Sequence, residues 1–213
     1  MSTASTTWIS GPVLRARPDG PFMLREAVTV GPDRLLGEVI RIARDQIVVQ
    51  VYEDTSGLRP GAEVAGSGGL LSVRLGPGLL GHIFDGLLRP MSAEGGAYVT
   101  PGMREELPAS FEFRPRAAAG DALGAGAVLG EMGSGNDEGK AAWTQRCLVP
   151  PDSPGGEVLF MAAAGSYRED ETVCRVRDAQ GRVHELAMSH HWPVRIPRPV
   201  LKRLPADEPM VTG

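Results

Sequence analysis

Glycine and proline interrupt this chain so often that long regular elements have little room: its 213 residues include 28 Gly and 18 Pro. Gly opens backbone conformations that other residues avoid, and Pro fixes φ and removes a backbone donor. The result is a chain cut into short runs, which favours many strands joined by turns over long helices. Short strands need a shared core. The apolar fraction of 42% supplies it, and a compact chain of this length buries roughly 70% of its unfolded surface.

Charge narrows the range of partners. The net charge is -4, and the excess sits between residues 91 and 140, with 4 basic and 8 acidic groups. No segment has the basic field that sequence-independent phosphate binding requires, so nucleic acid is not an expected partner. No basic stretch followed by an apolar run opens the chain, and nowhere do about 18 apolar residues follow one another, so direct membrane insertion is not expected and a cytoplasmic location is. Cys147 and Cys174 are too few for a disulfide framework and are expected to be reduced, buried thiols.

Period-two patterning is clearest in Gln46-Ile47-Val48-Val49-Gln50-Val51-Tyr52, where Ile47, Val49 and Val51 share one face. Residues 35–42 form an apolar, β-branched run before it, and Ala43-Arg44-Asp45 is short enough for a hairpin. A turn at Gly31-Pro32-Asp33 separates that run from another strand over residues 23–30. Closely spaced short strands imply a small antiparallel barrel over residues 1–75, since closure removes exposed edges.

After Gly76-Pro77-Gly78 the period changes. Leu80, Ile83, Phe84, Leu87 and Leu88 fall on one helical face, Asp85 and Arg89 stand four apart, and Pro90 forbids continuation, so a short amphipathic helix is predicted, followed by a polar linker to residue 110. Strand-like runs resume at 127–132, 143–149, 157–161 and 172–176, with Asp178-Ala179-Gln180-Gly181 as a further hairpin turn. They predict a second all-β module over residues 111–190. Residues 191–213 begin too rich in proline for a helix or a central strand and read as an extended connector.

Residues for chemistry are sparse. A phosphate-cradling loop needs the spacing GxxxxGK[ST]. In residues 133–141 the glycines Gly133 and Gly139 stand one residue too far apart, Ala141 replaces the hydroxyl, and Asp137 and Glu138 would repel phosphate. Histidines 82, 184, 190 and 191 lack a carboxylate partner at ligand spacing, and His190 and His191 point to opposite sides if extended. Glu169-Asp170-Glu171 reads as a solvated turn. No catalytic, cofactor or metal site is predicted.

Several segments together resemble one family. Tyr52-Glu53-Asp54-Thr55-Ser56-Gly57-Leu58-Arg59-Pro60-Gly61 looks like the end of the amino-terminal barrel in A subunits of vacuolar/archaeal-type rotary ATPases. Gly76-Pro77-Gly78-Leu79-Leu80-Gly81-His82-Ile83-Phe84-Asp85-Gly86-Leu87-Leu88-Arg89-Pro90 matches the segment that follows it. Val149-Pro150-Pro151 and Trp192-Pro193-Val194-Arg195-Ile196-Pro197-Arg198-Pro199 resemble that subunit's insert and exit, in the same order.

The resemblance implies that residues like 1–75 join a crown of alternating A and B subunits, and that residues like 111–190 form a barrel-sandwich-like bulge offered to stator components. It also implies that the ATP and Mg of the full-length family are held beyond this chain, in a nucleotide-binding domain to which residues 191–213 would connect. The expected role is non-catalytic: ring assembly and peripheral-stalk contacts in ATP-coupled proton or sodium transport, peripheral to the membrane. Two alternatives stay open. One is a free-standing adaptor or relic of a split subunit gene that binds a protein partner. The other is a lipoyl- or biotinyl-like carrier, against which Lys140 lacks the flanking residues of either carrier motif.

Overall fold

Alternation of inward β-branched and outward polar residues builds the first module as a closed barrel. β1 (Thr3–Ser10), β2 (Val13–Asp19), β3 (Glu26–Val30), β4 (Leu35–Ile42), β5 (Ile47–Val51) and β6 (Glu63–Leu70) pair antiparallel in the order β1-β2-β5-β4-β3-β6, and β6 returns to β1. The computed structural model describes residues 2–89, 91, 101–102, 109–134, 143–200, 202–203 and 205–207. Leu14, Val28, Val30, Val39, Ile47, Val49, Val51 and Val64 fill the barrel interior. Each such burial is worth roughly 1.5–3 kcal/mol against exposure. Gly37 is small for a reason: a Cβ there would sit 2.9 Å from the Gln50 carbonyl oxygen and 3.0 Å from Val49.

β4 and β5 lie where the sequence places them, and the loop between them closes through Ala43 N–H donating to the Gln46 carbonyl at 2.8 Å. β3 starts later than residue 23. Residues 23–25 form a turn in which Arg25 has φ +66° and Met23 N–H donates to the buried Glu26 carboxylate at 2.7 Å.

The predicted helix after Gly78 is absent. The only helical geometry among the described residues there is one 3-10 turn, Pro77–Leu79. Gly81 and Leu88 have φ +79° and +59°, outside any right-handed helix. The Asp85 carboxylate explains the outcome: its Oδ1 accepts the N–H groups of Leu87 and Arg89, both at 2.9 Å, and so diverts donors a helix would use. Asp85 N–H then donates to the Arg89 carbonyl and Met91 N–H to Ile83, which makes a tight hairpin-like turn. Its apolar stripe is not core, since Ile83 is 73% exposed. Pro90 and most of the expected linker lie outside the described residues.

The second module is a sandwich of two four-stranded sheets. β8 (Ser110–Pro115), β10 (Val128–Gly133), β11 (Thr144–Leu148) and β13 (Gly165–Arg168) form one, in the order β11-β10-β8-β13. β9 (Ala122–Leu123), β12 (Gly156–Met161), β14 (Thr172–Arg177) and β15 (Val183–Ala187) form the other, in the order β15-β14-β12-β9. Phe113, Leu129, Val158, Val173, Val176 and both cysteines pack between them. The cysteines are free and buried, and desolvation pushes the Cys147 thiol up to about 12 and that of Cys174 to about 11, so neither is a ready nucleophile.

A two-stranded ribbon joins the modules. β7 (Ser72–Leu75) leaves the barrel and pairs with β16 (His190–Pro193), which leaves the sandwich, with Leu75 opposite His190 and Val73 opposite Trp192. The start of the proline-rich exit is thus a strand, tolerated because both ribbon strands are edges. Val194 N–H extends the ribbon by donating to Leu71.

Candidate functional site

Three glutamates with buried side chains organise the region where ribbon, barrel and sandwich meet. A buried carboxylate is costly unless its oxygens are hydrogen-bonded, so each fixes whatever supplies the donors. Glu53, just after β5, accepts Leu36 N–H at 3.0 Å, the Arg89 guanidinium at 2.6 Å and Gly102 N–H at 2.8 Å. Arg89 in turn donates through Nε to Asp85 at 2.6 Å, so the turn at 85–89 is tied to the barrel wall. Desolvation pushes the Asp85 carboxyl up, and the N–H and side chain of Arg89 with the N–H of Leu87 outweigh it and hold it below the usual range.

Glu169, between β13 and β14, is only 5% exposed, which corrects the expectation of a solvated turn; its neighbour Asp170 pairs with Arg168 at the surface. Gly78 N–H donates to the Glu169 carboxylate at 3.3 Å, and Arg74 lies 3.7 Å from it. Ser189 donates through both N–H and hydroxyl to the Glu169 carbonyl. This contact explains the glycines. A Cβ on Gly76 would stand 2.5 Å from the Ser189 Cβ and 2.7 Å from Glu169, and one on Gly78 would meet both carboxylate oxygens at 3.1 Å.

Glu38 is 1% exposed in the middle of β4. Arg195 of the exit segment donates through Nε to Glu38 Oε1 at 2.9 Å and through Nη2 to Oε2, where the Tyr52 hydroxyl also donates at 2.5 Å. The Arg195 guanidinium holds the Glu38 carboxyl below its usual range despite burial, and burial together with the carboxylate pushes the Tyr52 phenol up.

The remaining expected motif residues are distributed around this junction. Pro77 opens the 3-10 turn and is buried, Gly86 sits in open space within the 85–89 turn, and Phe84 packs its ring 6.2 Å from His82. Trp192 and Pro193 lie on β16, Arg198 stacks over Trp192 at 4.8 Å, and Pro199 is exposed. Thr55, Ser56 and Gly57 stand apart in a barrel loop: the Thr55 hydroxyl donates to Gly11 at 2.8 Å, Ser56 donates twice to Asp54, and Gly57 has φ +92°. Pro150 and Pro151 belong to the sandwich, where Pro150 is buried and its carbonyl receives Ser153 N–H.

Glu38, Tyr52, Glu53 and Arg195 are organising residues to which the sequence reading gave no such role, and Glu169 is one it placed in a solvated turn. The one available signal was a charged residue inside an apolar strand, Glu38 within residues 35–42.

Gly133, the start of the nearest glycine-rich loop, is a ladder residue paired with both Thr144 and Glu112, so its backbone amide belongs to a sheet and not to a phosphate cradle; residues 135–142, including Lys140, lie outside the described residues. Among the described residues, no group of three or more His, Cys, Asp or Glu is placed to hold a metal, and no helix is long and apolar enough to cross a membrane.

Residues 7–68 match the beta-barrel domain of the ATP synthase alpha/beta family, and residues 106–195 match the ATP synthase alpha/beta subunit barrel-sandwich domain. The chain is similar to the A subunit of the A-type ATP synthase of Methanopyrus kandleri, 38% identical over 211 residues, and to its counterpart in Methanoculleus marisnigri, 40% identical over 213 residues; each alignment covers 96% of this chain and 35% or 34% of the relative. With the Pyrococcus horikoshii protein of the same name it shares 36% identity over 211 residues, 96% of this chain and 21% of that protein. The chain therefore spans about a third or less of the length of the curated relatives it matches.

Proposed function

We propose, from the premise that this chain belongs to the ATP synthase alpha/beta family and corresponds to the amino-terminal region of the A subunit of A-type ATP synthases, that it serves the assembly of a rotary ATPase ring and takes no part in catalysis itself. Its barrel would pack against B-type subunits and its sandwich would be offered to peripheral-stalk components, peripheral to the membrane on the cytoplasmic side. ATP and Mg would be used elsewhere in the complex to drive or harvest ion movement. The proposed units are 1–75, 76–110, 111–190 and 191–213.

The observation that carries this reading is the junction. Glu53, Glu169 and Glu38 each receive donors from a segment remote in sequence, and together they hold Gly76, Gly78, Asp85, Arg89 and the 192–198 exit in one arrangement. Among the described residues, no substrate-sized group of catalytic side chains converges there. Such a device suits a part whose task is to hold neighbours at a fixed angle. On this reading, residues 55–57, 76–78, 84–86, 89–90, 150–151, 192–193 and 198–199 are structural.

The test is reconstitution. Mixed with the B-type subunits of an archaeal ring, the chain is expected to enter a defined complex by native mass spectrometry, and titration calorimetry with Mg-ATP is expected to show no binding by the chain alone. Micromolar Mg-ATP binding would overturn the non-catalytic assignment. Failure to join B-type subunits would instead favour the adaptor.

A further inference from the structure

Arg198 is held from two sides. Its guanidinium approaches His190 Nε2 at 2.8 Å and lies 4.8 Å over the Trp192 ring, while the Trp192 indole N–H donates to the Ile196 carbonyl at 2.7 Å. Ile196 N–H donates to Pro193, so the chain turns back immediately after β16 and brings residue 198 beside residue 190. A guanidinium has no acceptor, so this contact requires Nε2 to be the unprotonated nitrogen of a neutral imidazole. We propose that His190 and Arg198 form a pH-operated latch: neutral His190 keeps the segment 196–198 folded against β16, and protonation of His190 releases it.

The geometry makes the two states mutually exclusive. Protonated imidazole offers N–H on both nitrogens, which replaces the acceptor Arg198 uses with a donor and places two positive charges at contact distance. What remains beyond residue 195 is the exposed cation–π stack on Trp192 and the single Trp192 indole hydrogen bond to Ile196, too little to hold the segment against the repulsion. The other groups facing His190 do not remove the conflict. Asp152, in the loop between β11 and β12, favours the protonated ring, and His191 on the same strand disfavours it. Across the ribbon stands the uncharged Leu75, and Arg74, the neighbour opposite His191, lies beside Glu169. Partial burial first, and the Arg198 charge second, hold the His190 pKa below the ordinary histidine value.

The sign follows from linkage. A histidine whose folded value is depressed contributes stability that is complete above its unfolded value, about 6.5, and is lost as pH falls from there toward the folded value. The latch is therefore shut at neutral pH and opens only as pH falls below the ordinary histidine value. The inner clamp of Arg195 on Glu38 does not titrate in this range, because that carboxylate is held below its usual value. Release is thus confined to the part of the exit beyond residue 195. Every contact of the latch lies within this chain, so it does not rest on the proposed ring role.

The test is an NMR titration of the full chain from pH 8 to pH 5, reading the Trp192 indole N–H, assigned by its loss in Trp192→Phe, and the His190 ring carbons. The indole signal is expected to shift with the same midpoint as His190, below about 6.5. In His190→Gln, which keeps a neutral acceptor, the indole shift is expected to vanish. In Arg198→Met the His190 midpoint is expected to rise toward the ordinary value. An indole signal that still titrates in His190→Gln, or a His190 midpoint unmoved in Arg198→Met, overturns the latch.

Discussion

Two turns in this molecule share one hydrogen-bond pattern and differ in what secures them. In Asp85-Gly86-Leu87-Leu88-Arg89 and in Asp178-Ala179-Gln180-Gly181-Arg182, the aspartate Oδ1 accepts the N–H groups two and four residues on, and the arginine Nε donates to Oδ2. In both, the aspartate N–H donates to the arginine carbonyl, and the fourth residue has positive φ, +59° at Leu88 and +80° at Gly181. The second turn puts glycine where the backbone demands it. The first puts leucine there, a left-handed placement that costs roughly 1–2 kcal/mol. Strain of this kind persists where surroundings over-determine the conformation, and the surroundings differ accordingly: Arg89 is also gripped by buried Glu53, whereas the Arg182 side chain is 68% exposed. One turn is made by its own sequence and the other by its tether.

Removing the tether should therefore have the largest effect. Glu53→Ala deletes the acceptor of Leu36 N–H, Arg89 and Gly102 N–H together. It is expected to cost about 3 kcal/mol in urea unfolding, near the lower bound for breaking a buried pair because Arg89 regains some water. Arg182→Ala, which removes an exposed partner at the other turn, is expected to cost less than about 1 kcal/mol. Equal losses in the two variants would erase the distinction.

Exchanging the fourth residue sharpens the comparison at a smaller scale. Gly181→Leu copies the strained residue into the turn that has no tether, and an expected loss of about 1–2 kcal/mol follows from the left-handed backbone alone. Leu88→Gly relieves the same strain in the tethered turn. Greater freedom of glycine in the unfolded chain offsets part of that relief, leaving an expected gain of about 0.5 kcal/mol. Thermal unfolding of both variants measures the pair, and a loss of stability in Leu88→Gly would show that the leucine side chain, not the tether, holds the first turn.

The same contrast explains what was legible in the sequence. Asp178-Ala179-Gln180-Gly181 announces a hairpin because glycine marks the positive-φ position. In residues 83–89 leucine hides it, and Leu80, Ile83, Leu87 and Leu88 supply a spurious helical period in its place. Barrel strand β5 was readable because inward β-branched residues alternate within it, and β4 because it is an apolar, β-branched run bounded by turns. β1 was legible only as part of the barrel over residues 1–75, since its inward positions Ala4 and Thr6 are small or polar and carry no hydrophobic signal. The junction was least legible. Its contacts join residues 36, 91 and 157 positions apart, and nothing in local pattern pairs Glu53 with Arg89, Glu169 with Gly78, or Glu38 with Arg195.

Acid separates the turns by the number of donors on each aspartate. Asp178 accepts four, from Gln180 N–H, Arg182 N–H, Arg182 Nε and His184, with His184 the strongest influence holding its carboxyl well below the usual range. Asp85 accepts three and is partly countered by desolvation. Both carboxyls are depressed on folding, so each contributes stability that is complete above the unfolded value of about 3.9 and lost as pH falls below it. Measured as urea midpoints from pH 6 to pH 2, Asp178→Asn is expected to flatten the acid limb by close to one proton, and Asp85→Asn by less. The larger flattening belongs to Asp178 because its carboxyl is shifted further, so more of its proton uptake separates the folded from the unfolded chain within that window. A steeper acid limb in Asp178→Asn, or a larger flattening in Asp85→Asn, would mean that the Glu53 tether and not the local turn sets the proton balance.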